Sequence, residues 1–198
     1  IIPSDHDLNL PSRHLGLVQA DEIDALEQFI QKASKSLSSN VDLGAIKEAC
    51  QSSISGSAEA NFLKPLGQHI AVARDLAFNF AYTHILENWM RLGAKLSYFS
   101  PLSNEAPDNS CDAIYLPGGY PELFAEKLSK NTTFLDGLRM AGASGKFIFC
   151  ECGGFMVLGQ TLTDASGTSF AMSGLLDLKT TFENPRFFDH HCKKLTKS

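Results

Sequence analysis

The sequence has no excess of basic residues: 17 Lys and Arg stand against 22 Asp and Glu, a formal charge of −5. Nucleic-acid binders concentrate positive charge against the phosphates, so no nucleic-acid partner is expected. No apolar run approaches the roughly 20 residues needed to span a bilayer, so no membrane partner is expected either. Residues 1–7 show no basic stretch followed by an apolar one, and no secretion signal is read there. An initiator methionine is also missing, so the chain reads as a piece of something longer. There is no C-x-x-C pair and no G-x-x-x-x-G-K-[ST] segment. Paired-cysteine redox or zinc chemistry and a P-loop nucleotide site are therefore not expected here.

What is present is ordinary for a soluble globular protein: 198 residues, 43% hydrophobic and 20% charged. The five cysteines are Cys50, Cys111, Cys150, Cys152 and Cys192. An odd count without secretory features implies reduced thiols and a cytoplasmic setting. His190, His191 and Cys192 cluster near the end. Too few of them have ligand spacing, so a polar tail is the preferred reading and no metal site is expected.

The first third reads as helical. Ile23, Leu26, Ile30, Ala33 and Leu37 fall at helical spacing behind Asp21 as N-cap, and a second helix starts at Asp42. Residues 51–59 are small and polar and read as a linker. A domain boundary is expected there or slightly later, at residues 64–67. Beyond it strands and helices alternate. His69–Ala73, Lys95–Phe99, Ala113–Leu116 and residues 146–150 read as strands. Residues 79–92, a segment from Pro121 and a segment capped by Asn131 read as helices. This order predicts an α/β fold: a mainly parallel sheet with helices on both faces.

The most informative stretch surrounds Cys152. An apolar strand runs into Cys152, Gly153 and Gly154 follow, and an apolar helix begins. That is the layout of a nucleophile elbow, whose neighbours must be small. The Gly153 N–H then lies just after the nucleophile and can donate to an oxyanion, and the helix N-terminus favours a thiolate. The competing reading is a small core cysteine, which suits Cys150 better because it lies within the strand. A second glycine turn, Pro117-Gly118-Gly119, also leaves a strand. Parallel strands bring both turns to one sheet edge, where Gly118 or Gly119 can supply a second donor.

Four stretches in this order carry a family resemblance: residues 71–80 (AVARDLAFNF), 92–102 (LGAKLSYFSPL), 118–125 (GGYPELFA) and 151–154 (ECGG). Together they resemble the cobyrinic acid a,c-diamide synthases of the cobalamin pathway, over about residues 8–182. Residues 10–18 resemble the segment near the end of that family's synthetase domain. The resemblance implies a two-domain ligase whose C-terminal domain is similar to class I glutamine amidotransferases. It implies glutamine as ammonia donor and cobyrinic acid, or its hydrogenobyrinic counterpart, as the acceptor of two amides. ATP and Mg²⁺ are implied for the synthetase domain. By this resemblance Cys152 is the nucleophile, and Gly118, Gly119 and Gly153 form the oxyanion and glutamine-binding region. Arg13 and His14 match the family's Arg-His-Leu-Gly segment without an assigned step.

Residues 1–64 are accordingly expected to be the end of the synthetase domain plus a linker. Residues 65–198 are expected to be the amidotransferase domain, truncated at its C-terminus. Three departures bear on activity. The P-loop part is absent, so the ATP and Mg²⁺ site is not expected in this chain. The family's activating histidine sits in a Gly-Ser-Phe-x-His-like segment that this chain does not contain, and the role is not carried onto His190 or His191. Cys150 stands where the family has a small residue. The isolated chain is expected to be inactive or nearly so. The alternatives are a catalytically inactive amidotransferase-like binding module and a DJ-1-like cysteine hydrolase.

Overall fold

The computed structural model describes residues 2, 4–10, 18, 20–50 and 63–182. Arg13, His14, the expected linker at 51–59, and His190, His191 and Cys192 lie outside the described residues. The chain divides into two compact units, Ile1–Ala60 and Asn61–Ser198.

The first unit holds helices α1 (Leu26–Asn40) and α2 (Leu43–Ala49). Helix α2 begins at Leu43 rather than at Asp42, which stands at its cap with its carboxylate accepting from Ala45 N at 3.0 Å. Helix α1 starts later than the Asp21 cap predicts. A short 3₁₀ helix, Ala20–Glu22, intervenes, and Ala25 stands at the cap position with φ +56°. Neither helix buries a residue, and Ile30, Leu37, Leu43 and Ile46 are all exposed.

In the second unit β1 (His69–Ala73), β2 (Lys95–Phe99), β3 (Ala113–Leu116) and β4 (Phe147–Cys150) form one sheet in the order β2-β1-β3-β4. All three pairings are parallel. Side chains alternate between the faces of a strand. Ile70, Val72, Ala113 and Tyr115 therefore pack on one side, with Leu86 and Trp89 of α3 (Thr83–Arg91). Ala71, Ala73, Ile114 and Leu116 pack on the other, with Leu128 of α4 (Ala125–Lys130) and Phe134 and Leu138 of α5 (Thr132–Ala143). Each large apolar side chain so buried contributes about 1.5–3 kcal/mol. The expected parallel sheet with helices on both faces is what the chain forms. No helix of the described residues is long and apolar enough to cross a membrane.

Two local expectations are corrected. The helix expected over 79–92 begins only at Thr83. Asp75 holds the preceding residues as a loop: its carboxylate accepts from Ala77 N at 2.9 Å, Ser100 Oγ at 2.9 Å and Leu102 N at 2.8 Å. Asn131 sits at the cap position of α5 but does not cap it by its side chain. Its amide donates instead to the carbonyls of Pro101 at 2.7 Å and Leu102 at 3.3 Å. A short helix α6 (Gly153–Met156) follows β4. A second small sheet of β5 (Thr161–Thr163), β6 (Ser169–Ala171) and β7 (Lys179–Thr181) follows that.

Candidate active site

Because β3 and β4 run parallel in register, with Leu116 beside Cys150, the turns that leave them meet at one edge of the sheet. The chain passes that edge through Cys152 at φ +48°, ψ −118°. A side-chain-bearing residue held there costs about 1–3 kcal/mol and persists only where its surroundings fix it. Here Glu151 N donates to Leu116 O at 3.2 Å and Gly154 N to Glu151 O at 2.8 Å. The result is an exposed Cys152 thiol at the strand end, while Cys150 is half-buried in the strand. Burial pushes the Cys150 thiol pKa up, and the neighbouring Glu151 charge adds to it. Cys150 thus keeps its proton, as a core cysteine should.

The glycines are dictated by space. A Cβ at Gly154 would stand 2.1 Å from Leu116 O, and one at Gly119 would stand 2.1 Å from Ala77 O. A Cβ at Gly153 would meet Pro121 Cδ at 2.6 Å, and one at Gly118 would meet Cys152 Cβ at 3.2 Å. The four residues singled out in the sequence, Gly118, Gly119, Cys152 and Gly153, are therefore brought together.

Gly153 is the first residue of α6, where an N–H has no intrahelical acceptor. Among the described residues no backbone acceptor takes the Gly119 N–H either. Two such donors beside a thiol are what an oxyanion formed at that thiol requires. The expected help from a helix dipole is corrected: α6 is a single turn of four residues, so the local N–H groups act without a macrodipole of any length behind them.

The loop after β1 closes the site from the other side. Phe80 N donates to Gly118 O at 3.0 Å, and the Phe80 ring meets the Tyr120 ring edge-on at 5.1 Å. This contact spans the gap between β1 and β3, the point where the strand order reverses and where open α/β sheets bind ligands.

Two site-edge residues were not singled out from sequence. Tyr115 on β3 is 1% exposed, and its phenol donates to the Glu151 carboxylate. Burial pushes the phenol pKa far above its ordinary range, and the Glu151 hydrogen bond adds to it. A carboxylate lodged between two cysteines at the end of an apolar strand is the signal that a donor waits nearby, since even a half-buried charge is costly without one.

Among the described residues no base for Cys152 is identified. His69 lies at the opposite edge of the sheet, bonded to Ser97 at 2.8 Å and Ser110 at 3.2 Å, and His84 packs against Tyr82. Two cavities lie at that opposite edge. One, of about 120 Å³, is lined by Asp108, Cys111, Gly137 and Lys146. The other, of about 520 Å³, is lined by Gly67, Gln68, Gly93 and Ala94. The described residues contain no group of three or more His, Cys, Asp or Glu able to hold a metal ion.

Residues 69–197 match the family described as the CobB/CobQ-like glutamine amidotransferase domain. The hydrogenobyrinate a,c-diamide synthase of Brucella anthropi is 50% identical over 183 residues, covering 91% of this chain and 42% of its own length. That of a Sinorhizobium species is 50% identical over 188 residues, covering 94% and 43%. That of Rhodobacter capsulatus is 46% identical over 185 residues, covering 93% and 42%. The chain thus spans less than half the length of these relatives.

Proposed function

Since the chain belongs to the CobB/CobQ-like glutamine amidotransferase domain family, we propose that Cys152 hydrolyses glutamine to supply ammonia to an amidating ligase. The carrying observation is the exposed thiol on a strained elbow, beside two backbone N–H groups for which the described residues offer no backbone acceptor.

The Cys152 thiolate attacks the side-chain amide carbon of glutamine. The carbonyl oxygen takes the electron pair, and the N–H groups of Gly119 and Gly153 hold it. Collapse of that adduct expels ammonia once the nitrogen is protonated, leaving a glutamyl thioester. Water then adds to the thioester, and glutamate departs with the thiol restored. Gly118 lets the Cys152 side chain pass, because any larger residue would crowd its Cβ.

The proposed acceptor is a corrinoid. The relatives' names point to hydrogenobyrinate, amidated at the a and c carboxylates. Cobyrinic acid is the alternative acceptor. Residues 1–64 are proposed to be the end of the ligase's synthetase domain, joined by a linker to the amidotransferase domain at 65–198. The exposed Ile30, Leu37, Leu43 and Ile46 support that assignment, because they form no core by themselves. ATP and Mg²⁺ would drive amidation in the whole ligase. They do not fit the described part of this chain, which has neither a P-loop nor a metal-ligand cluster, and no step here runs through them. The reduced thiols favour the cytoplasm as its setting.

The experiment is glutamate release from glutamine by the protein that carries this chain. Cys152→Ala should lower kcat by about a thousandfold or more. Undiminished release would overturn the assignment.

A further inference from the structure

The elbow raises a question of support. Cys152 holds a backbone conformation that side-chain-bearing residues rarely adopt, yet the residue before it is fixed at three separate atoms. Glu151 N donates to Leu116 O and Glu151 O accepts from Gly154 N. The Glu151 carboxylate accepts from the Tyr115 phenol. The two backbone bonds do not depend on which side chains are present; the third does. Tyr115 is itself tightly packed. It is 1% exposed, with the Trp89 ring edge-on at 5.7 Å and the Phe149 ring tilted at 5.5 Å. Register makes the bond possible: Tyr115 pairs with Phe149, and Glu151, two residues on, projects from the same face.

The geometry points to Tyr115 as a positioning residue for the nucleophile, acting through Glu151. The phenol holds the carboxylate, the carboxylate holds the residue that enters the strained turn, and the turn holds the thiol beside the Gly119 and Gly153 N–H groups. Tyr115 touches no reacting atom. Its phenol stays protonated because burial, and then the bond to Glu151, raises its pKa, so it remains a donor throughout the working range. The inference rests on Cys152 being the nucleophile.

The test uses the whole protein that carries this chain, with glutamine as substrate and iodoacetamide as thiol probe. Misplacing a reacting atom by about 1 Å costs on the order of a hundredfold in rate. Tyr115→Phe should therefore lower kcat about ten- to a hundredfold while KM for glutamine moves by less than about twofold. Its melting temperature should fall only modestly, because a buried phenylalanine ring fills the same space and water reaches the half-buried Glu151 carboxylate left without its donor. Glu151→Gln keeps an acceptor for the phenol and should recover kcat to within about threefold of the parent, whereas Glu151→Ala should not. The Tyr115→Phe/Glu151→Ala double variant should be no slower than Glu151→Ala alone, since both remove one bond.

An unchanged kcat in Tyr115→Phe overturns the proposal, as does a loss carried wholly by KM or a Glu151→Gln variant as slow as Glu151→Ala. If the Glu151 variants do not fold, the alkylation rate of Cys152 in Tyr115→Phe decides: a slowed rate supports positioning, and an unchanged rate overturns it. Cys152→Ala separates the two levels. If it is dead while Tyr115→Phe is unaffected, only the positioning role fails. If it still hydrolyses glutamine, the nucleophile assignment fails and the positioning role falls with it.

Discussion

A Cβ on Gly153 would stand 2.8 Å from the carbonyl oxygen of Gly119 and 2.6 Å from Pro121 Cδ, so the turn after β4 is pressed directly against the turn after β3. Gly153→Ala should push the two turns apart. Overpacking of this kind costs about 1–3 kcal/mol. Urea unfolding should register that loss, and glutamate release should fall because both oxyanion donors move. Gly154→Ala should be worse, because its Cβ would lie 2.1 Å from the Leu116 carbonyl, in the backbone of the central sheet.

The φ of +48° at Cys152 makes a stability prediction opposite to an activity prediction. Cys152→Gly and Cys152→Ala should both abolish glutamine hydrolysis. Glycine relieves about 1–3 kcal/mol of strain and gives back about 0.4–1 kcal/mol through its freer unfolded chain. Cys152→Gly should therefore exceed Cys152→Ala in stability by about 1 kcal/mol, read from denaturant midpoints. Equal midpoints would mean that the turn is not strained.

The cysteines should separate on labelling of the native chain. Cys50 and Cys152 are exposed, Cys150 is half-buried and Cys111 is buried. Iodoacetamide should modify the first two well before the others, as peptide mass spectrometry can read.

Burial raises the pKa of the Cys111 and Cys150 thiols in the folded chain. The unfolded chain therefore ionises first as pH rises. The stability linked to these thiols is complete below the ordinary thiol pKa and declines as pH climbs through it toward the folded value. Unfolding midpoints should fall on the alkaline side, and a Cys150→Ala variant should fall less steeply. A parallel decline in that variant would remove Cys150 from the account.

Asp164 gives the matching prediction on the acid side. Its carboxylate accepts from Ser166 Oγ at 2.6 Å, Thr168 N at 3.0 Å and Ser166 N at 2.9 Å, in the turn between β5 and β6. The Ser166 side-chain bond and then the Thr168 backbone bond hold its pKa below the ordinary value. The linked stability is present above the ordinary carboxylate pKa and is lost as pH falls through the depressed one. Asp164→Asn should flatten that acid limb. Thermal melts carried from about pH 6 to well below the ordinary carboxylate pKa of about 3.9 would show it.

Much of the fold is written locally. His69–Ala73, Lys95–Phe99 and Ala113–Leu116 are short apolar or alternating runs bounded by turn residues, and each is a strand to the residue. The start of α3 is not written locally. Phe78 and Phe80 carry the apolar character of a helix, but their setting is a loop that Asp75 ties to Ser100 and Leu102. Strands β5, β6 and β7 hold three residues each, too few to display a period.

The site divides the same way. Cys152, Gly153 and Gly154 announce themselves because only small residues fit a sharp strand-to-helix turn. Tyr115 and Glu151 lie 36 positions apart, and their bond exists only once β3 and β4 have paired in register.

Trp89 is the only tryptophan in the chain, and it is fully buried. Its ring meets Tyr115, the residue that grips Glu151 beside the nucleophile. Tryptophan emission from this chain therefore comes from one indole, in an apolar setting that favours short wavelengths, one aromatic contact from the elbow's support. A change in that emission on substitution of Tyr115 or Glu151 would register rearrangement next to the site without any added label.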